Sequence, residues 1–300
     1  MTLRALLVTG QSSQHHDWIV TSAAIAARLD ETGRFRVDTV WYPGPEGPGL
    51  HGPGPGHHGQ PGQGLHGQAG PGLHARVFDD YDVVVLDYEG ERWPAAVEEA
   101  LERYVRRGGG LVVIHAADNA FPSWPAFQTL CGVGGWGGRD ESAGPKVRWR
   151  EGAQVLDLSA GVAMHPPRQD FLVTSRAPDH PIMRGLPAAW THADDELYSQ
   201  LRGPAEHMDV LATACIDAAV HPKATGEDEP VLMTIRYGSG RVFHTTLGHV
   251  GPADGSRTTA IDCVGFIVTL QRGTEWAATG EVTMAVPPDF PTAERTSLRS

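Results

Sequence analysis

The stretch GGGLVVIHAADNAF, residues 108–121, constrains the fold more than any other part of the chain. Its glycines lead into a wholly apolar, β-branched run at 111–114 that ends at His115. Such a run is typical of a strand that is buried on both faces in the middle of a parallel sheet. Because ligands bind beyond the carboxyl ends of such strands, His115 is a candidate site residue. The competing interpretation is a core histidine with one ring nitrogen bonded to the backbone.

Strand-like and helix-like segments alternate on the amino-terminal side of this run. Turn residues separate the segments, and the second helix has a proline near its first turn and a glycine after its last. This order predicts a doubly wound parallel sheet with helices on both faces. The predicted strands are 3–8, 35–41, 81–88 and 111–114, and the predicted helices are 19–29 and 94–107.

The second half of the chain departs from this alternation. Short strand-like runs from 146 to about 215 replace the helical pattern and predict an antiparallel extension of the sheet. A closing helix is predicted from about 257 to 271. We therefore expect one α/β domain over 1–275, followed by a C-terminal tail at 276–300 whose last part, PPDFPTAERTSLRS, is frayed.

Residues 229–250 predict a β-hairpin that turns at 238–240. Gly248 ends its second strand, so His249 falls in the loop just beyond it. His244 instead lies within the strand, on a face that it shares with apolar neighbours. His249 is therefore the better site candidate of the two.

Composition excludes several classes of partner. The chain has 24 Lys and Arg against 36 Asp and Glu, a net charge of -12, whereas nucleic acids and anionic membranes call for a basic face. The amino-terminal apolar run is too short for a signal peptide, and no stretch is long enough to span a bilayer. Cys131, Cys215 and Cys263 lie far apart, which argues against disulfides and favours the cytoplasm.

Residues 43–75 form a compositional break, with 12 Gly, 7 Pro and 5 His among 33 positions. Such a segment lacks the apolar surface to offset its ordering entropy, so we expect a disordered surface insertion. Its histidines could bind metal adventitiously, but a tolerated low-complexity loop is the favoured interpretation.

The loop after the first strand, TGQSSQHHDW, is the next candidate region. It lacks GxGxxG, so no nucleotide cofactor is expected. It leads into a helix N-terminus, where backbone amides favour oxygen-rich ligands, and Asp17 or Ser13 can cap that helix. His16 is preferred to His15 because it abuts the Asp-Trp pair that opens the helix. The candidate substrate contacts in this loop are Gln11, Asp17 and Trp18.

Several further side chains are candidates for contacting a substrate. Trp124 and Trp136 could be core residues or platforms for the apolar face of a sugar ring, and burial alone does not separate these roles. Asp118 lies three positions after His115, and Tyr198 ends the stretch DELY.

Six segments together carry a resemblance to a known family. They are LLVTGQ with HHDW, YDVVVLDY, RRGGGLVVIHAA with AFPSWPAF, APDHPIMRGLP, DELY and YGSGRVFHTTLGH. Their order resembles the ThuA-like (trehalose utilisation) family, whose fold is akin to the flavodoxin-like class I glutamine amidotransferases. In that fold a cysteine nucleophile would stand at the position of His115, and Cys131 lies well downstream. Glutaminase activity is therefore not expected.

Three histidines are expected to meet at the carboxyl edge of the sheet. His16, His115 and His249 each follow a predicted strand, and Glu196 of DELY could reach them. Neutral imidazoles with a carboxylate suit zinc or a similar divalent metal. Metal-free acid/base catalysis by His115, His249 and Glu196 is the alternative, and a purely structural cluster is the third.

The resemblance implies a cytoplasmic enzyme that acts on a small carbohydrate such as a disaccharide or 3-keto-glycoside. No pair of carboxylates stands out as acid and nucleophile, so ordinary glycoside hydrolysis is less attractive than proton abstraction beside a ketone or metal-assisted elimination. The alternative is a non-catalytic sugar-binding or regulatory protein. The sequence leaves open whether the chain forms a homo-oligomer.

Overall fold

The computed structural model describes residues 2–10, 14–42, 73–135 and 139–299, and a large mixed sheet lies at its centre. The strands are β1 (Leu3–Gly10), β2 (Phe35–Trp41), β3 (Val83–Tyr88), β4 (Gly110–Ile114), β5 (Lys146–Arg150), β6 (Ala153–Asp157), β7 (Gln169–Ser175), β8 (Ala189–Asp195), β9 (Met208–Ala214), β10 (Glu229–Tyr237) and β11 (Gly240–Thr245). The helices are α1 (Trp18–Asp30), α2 (Ala95–Arg106), α3 (Pro125–Cys131), α4 (Thr259–Asp262) and α5 (Val264–Thr279).

Nine of these strands form the sheet, in the order β2-β1-β3-β4-β11-β10-β9-β7-β8. The first five run parallel, and each later neighbour is antiparallel to the one before it. Strands β5 and β6 pair with each other in a separate ladder. The predicted α/β fold with an antiparallel extension is confirmed, and the carboxyl ends of β1, β3, β4 and β11 meet at one edge.

Helices cover both faces of the sheet. Helices α1 and α5 pack on one face and α2 and α3 on the other, and every residue of β4 between them is buried. Helix α5 approaches so closely that a Cβ at Gly110 would lie 2.6 Å from the backbone of Ala277. The glycine that opens β4 is therefore required by packing.

Of the two residues predicted to cap α1, Asp17 is the N-cap. The side chain of Asp17 accepts a hydrogen bond from the amide of Val20, as an N-cap does. The other predicted cap, Ser13, lies outside the described residues, as does the greater part of the predicted insertion at 43–75.

The carboxyl-terminal prediction is wrong. Helix α5 continues to Thr279, beyond the predicted domain end at 275, because Trp276 and Ala277 are buried against the sheet. The tail is not frayed, since the amide of Thr191 donates to the carbonyl of Thr292 at 2.8 Å. This contact lies on β8, the last strand of the sheet, so the tail covers an edge that would otherwise offer unpaired backbone groups.

The described part of the chain contains no helix with the length and apolar character needed to cross a membrane. The three cysteines are free thiols, two of them buried and Cys215 exposed.

Candidate functional site

Three histidines reach one point because the strands that precede them lie within four consecutive parallel strands of the sheet and end at the same edge. His16 lies in the β1–α1 loop, His115 directly follows β4, and His249 lies four residues after the end of β11. His115 begins a single 3-10 turn and has a φ of 45°, a left-handed conformation that few non-glycine residues adopt. Glu196, the residue after β8, completes the group.

The inward-facing atoms of these side chains form a continuous set of contacts. Nε2 of His115 lies 3.3 Å from Nδ1 of His249, which is 3.2 Å from a carboxylate oxygen of Glu196. The Tyr198 hydroxyl lies 3.2 Å from Nε2 of His16 and 3.0 Å from Nε2 of His115. One donor atom from each of the three histidines and Glu196 lies within 4.8 Å of the others. The predicted residues therefore form one cluster, which Tyr198 joins.

The outward-facing nitrogen of each imidazole contacts an oxygen of the protein. Nδ1 of His16 lies 2.8 Å from a carboxylate oxygen of Glu89. Nδ1 of His115 donates to the carbonyl of Thr246 at 2.7 Å, which leaves its Nε2 as an acceptor. Nε2 of His249 lies 3.4 Å from a carboxylate oxygen of Asp254. These contacts fix the three ring orientations.

Burial and neighbouring charges shift the pKa values of the cluster in different directions. Burial, together with the neighbouring His16 and His249, holds the pKa of His115 well below its usual value. Burial and the nearby His16 lower the pKa of His249 to about 4. Burial opposes charge on His16 as well, but Glu89 outweighs it and raises the pKa of His16. At neutral pH the cluster therefore holds two neutral imidazoles beside one that retains a proton more readily.

Two further groups in the cluster favour their protonated forms. Burial raises the pKa of Glu196 to about 7, so this carboxyl group can exchange a proton near neutral pH. Burial and the charge of Glu196 raise the pKa of Tyr198 well above its usual value, so its hydroxyl stays protonated. The site thus offers both proton acceptors and a hydrogen-bond donor.

Asp195, which the sequence analysis did not single out, connects the two loops that carry Glu196 and His249. One of its oxygens accepts from the amides of Glu196 at 2.8 Å and His249 at 3.0 Å. The other accepts from the amide of Gly248 at 2.7 Å and from Nε2 of His192 at 2.8 Å. The sequence feature that could have drawn attention to Asp195 was its position next to Glu196 in HADDELY. That pattern does not predict which backbone amides its side chain accepts from.

A small cavity opens beside the cluster. His16 and His115 line it together with Trp18, which stacks on Trp41 at a centroid separation of 6.0 Å. The lining also includes Asp87, which accepts a hydrogen bond from the Thr21 hydroxyl at 2.7 Å. Burial raises the pKa of Asp87 to about 7. An aromatic face and several oxygen groups thus lie next to the imidazoles.

Three of the other predicted substrate contacts, all within the described residues, do not line this cavity. Asp118 is fully buried on another side of the sheet edge, with a carboxylate oxygen 3.6 Å from Nε2 of His244. Trp124 is a core residue that packs against Phe121 and Phe127. The Asp17 side chain is engaged by the helix cap and by a hydrogen bond from Ser256. The other two predicted contacts, Gln11 and Trp136, lie outside the described residues.

Comparison with known proteins decides the family. The family model ThuA, described as trehalose utilisation, matches residues 67–277. A ThuA-like protein from Parabacteroides merdae ATCC 43184 is 40% identical, with a TM-score of 0.84 over 100% of this chain and 98% of that one. The chain belongs to the ThuA family. A second ThuA-like structure, from Bacteroides uniformis ATCC 8492, is 16% identical, with a TM-score of 0.54 over 93% of this chain and 94% of that one, and shares the fold. No curated protein matches significantly.

This ThuA-family protein has a sharp turn where an amidotransferase-like fold would carry its nucleophile, but the residue there is His115. The nearest cysteine along the chain, Cys131, is buried with its sulfur 3.8 Å from Nδ1 of His244. Cys131 is not among the residues that line the cavity, and the side chains at the turn offer imidazole, carboxyl and phenol groups.

Proposed function

We propose that this ThuA-family protein is a cytoplasmic enzyme of carbohydrate metabolism that acts on a disaccharide or a 3-keto-glycoside. The observation that carries the proposal is the convergence of His16, His115, His249 and Glu196 beside the cavity that Trp18 lines. An indole face packs against the apolar face of a sugar ring, and carboxyl and hydroxyl groups bind its hydroxyls.

The cluster suits proton abstraction next to a ketone. In a 3-keto-glycoside, removal of the proton at C2 places the electron pair in a C2–C3 enolate. Its collapse forms a C1–C2 double bond and breaks the bond from C1 to the leaving oxygen. For the protein without a metal ion we assign Glu196 or His249 as the base, since Glu196, with its pKa raised to about 7, is partly ionised near neutral pH and His249, with its pKa lowered to about 4, is neutral there. The Tyr198 hydroxyl can donate a hydrogen bond to the enolate oxygen, and protonated His16 can return a proton to the leaving oxygen.

The test is incubation of the purified protein with a panel of 3-keto-disaccharides and 3-keto-glycosides in D2O, followed by NMR. We expect exchange at C2 and release of the aglycone or second sugar. Replacement of His115 by Ala should reduce the rate by at least about 100-fold. A matched control is His207→Asn, because His207 is exposed and outside the cluster.

The alternative function is sugar binding without turnover. It is favoured by the presence of His115 at the position where an amidotransferase-like fold would carry its cysteine nucleophile. Calorimetric binding of a panel sugar with neither C2 exchange nor product would support that alternative and contradict the enzyme. Exchange that persists unchanged in both His115→Ala and Glu196→Gln would show that the chemistry occurs elsewhere.

A further inference from the structure

We propose that Nε2 of His16, Nε2 of His115, Nδ1 of His249 and a carboxylate oxygen of Glu196 form a binding site for a divalent transition-metal ion of the zinc type. A role for that ion in sugar chemistry rests on the proposed function. Binding of the ion does not, because it follows from the positions of the four donor atoms alone.

The first argument is distance. Two ligands bound at about 2.0–2.1 Å in a tetrahedral zinc site lie about 3.3–3.4 Å apart. The contact between His115 and His249 is 3.3 Å and that between His249 and Glu196 is 3.2 Å. These two edges already have the length that a shared ion requires, and the other donor atoms lie within 4.8 Å. Movements of about 1 Å or less would bring all four to one ion.

The second argument is orientation. A metal-binding histidine almost always gives its other ring nitrogen to a carboxylate, a backbone carbonyl or water. All three imidazoles follow this rule, with Glu89, the Thr246 carbonyl and Asp254 as the partners. Three unrelated oxygen groups therefore hold three rings with the remaining nitrogen turned toward Glu196 and Tyr198. Histidines with a purely structural role are not expected to turn their second ring nitrogens toward one common point.

The third argument is charge and proton count. When Nε2 of His249 donates to Asp254, its Nδ1 presents a lone pair to Nε2 of His115 and to a carboxylate oxygen of Glu196. Nε2 of His115 is an acceptor because Nδ1 donates to Thr246. Lone pairs at this distance repel one another unless a proton or a cation lies between them. A divalent ion relieves this repulsion for all of them at once.

The donor set selects the kind of ion. Three imidazole nitrogens and one carboxylate suit zinc, iron, nickel or manganese, whereas calcium and magnesium prefer sites made of oxygen. The Tyr198 hydroxyl contacts two of the nitrogens, so it flanks any open coordination position. An ion with such a position would supply a Lewis acid for a ketone oxygen or a bound water.

The test has to separate this cluster from the histidine-rich segment at 43–75. We therefore use the full-length protein without a His tag, carrying His51, His57, His58, His66 and His74 replaced by Gln. The protein is stripped with chelator and titrated with Co²⁺, and visible absorption reports tetrahedral or five-coordinate binding. Elemental analysis after reloading with Zn²⁺ gives the stoichiometry. We expect one ion per chain.

Variants then assign the ligands. In this background His16→Ala, His115→Ala and His249→Ala should each weaken Co²⁺ binding by at least about 100-fold, and Asp254→Asn, which alters an outer partner, by about 10–100-fold. His207→Asn should have no effect. Glu196→Gln is the variant least expected to impair folding, because this side chain contributes no apolar surface to the core. It should also weaken Co²⁺ binding, and an unchanged far-UV circular dichroism spectrum would show that the variant is folded.

The outcomes separate this inference from the proposed function. Absence of stoichiometric Co²⁺ and Zn²⁺ in the background protein, or retention of the ion by His115→Ala, overturns the metal site even if sugars are turned over. One tightly bound ion that depends on all four side chains supports the site, even if every sugar tested is inert and the proposed function fails.

Discussion

Replacing Asp195 by Asn should destabilise the protein and loosen the site together. The buried carboxylate accepts four hydrogen bonds, two on each oxygen, from Gly248, Glu196, His249 and His192. Whichever way the Asn amide turns, its NH₂ group faces two of these donors, which lose their acceptor. Breaking a buried charge pair by changing one partner costs about 3–5 kcal/mol, and we expect a loss of this size in the free energy of unfolding.

The pH dependence of this loss follows from the two partners. Burial opposes ionisation, but His192 and the backbone donors hold the pKa of Asp195 well below its usual range, so its contribution is present above about pH 4. Burial lowers the pKa of His192, yet Cys263 and Asp195 outweigh it and raise this pKa to about 10. The pair's contribution is therefore complete between about pH 4 and pH 6.5, is lost as the pH falls below that range and Asp195 takes up a proton, and declines as the pH rises from about 6.5 to about 10.

Urea unfolding followed by tryptophan fluorescence at pH 6 and pH 9.5 measures both effects. We expect the gap between wild type and Asp195→Asn to be larger at pH 6. Metal affinity should fall as well, because the amides of Glu196 and His249 lose their common acceptor. A variant within about 0.5 kcal/mol of wild type at pH 6, with unchanged metal affinity, would refute this role for Asp195.

Three further predictions concern the cavity and the thiols. Asp87→Asn should stabilise the fold by about 2–4 kcal/mol above pH 7 and by little at pH 4. The reason is that a buried carboxyl group with a raised pKa lowers the stability of the folded state as the pH rises from about 4 to 7. Equal unfolding curves for the variant and the wild type at pH 8 would contradict this. Tyr198→Phe should lower turnover of a 3-keto-glycoside by about 10–100-fold with the melting temperature nearly unchanged, and full activity would exclude its hydroxyl from the reaction. Replacing Cys131, Cys215 and Cys263 by Ser should leave the activity measured in the D2O assay intact, because the proposed chemistry uses no thiol. Inactivation of the folded wild-type protein by a thiol reagent would contradict this.

The sequence predicted the site where local pattern and sheet geometry act together. The apolar run before His115 identifies a central strand, and the hairpin pattern places His249 beyond its neighbour. Parallel strands bring their carboxyl ends to one edge, so the meeting of these two residues follows from the predicted fold. The prediction that Glu196 joins the site depended on the stretch DELY, which supported the family resemblance. Strand pattern alone would not predict it, since β8, which precedes Glu196, is the last strand of the sheet.

The errors have physical causes that a single sequence does not reveal. Asp195 acts through backbone amides more than fifty positions away, and no residue pattern marks such acceptors. Asp118 and Trp124 follow the right strand, but a short turn and helix carry their side chains into the core on the other side. The tail appeared frayed because its few apolar residues show no periodicity, yet Phe290 packs on Trp190 at the edge strand.

X-ray diffraction at the zinc absorption edge, from crystals grown with zinc, tests most directly whether the four side chains form one site. An anomalous-difference map should show one strong peak about 2.0–2.3 Å from Nε2 of His16, Nε2 of His115, Nδ1 of His249 and an oxygen of Glu196. No peak at that point, with the three imidazoles turned into separate environments, would contradict the account and leave His115 as a core histidine bonded to the Thr246 carbonyl.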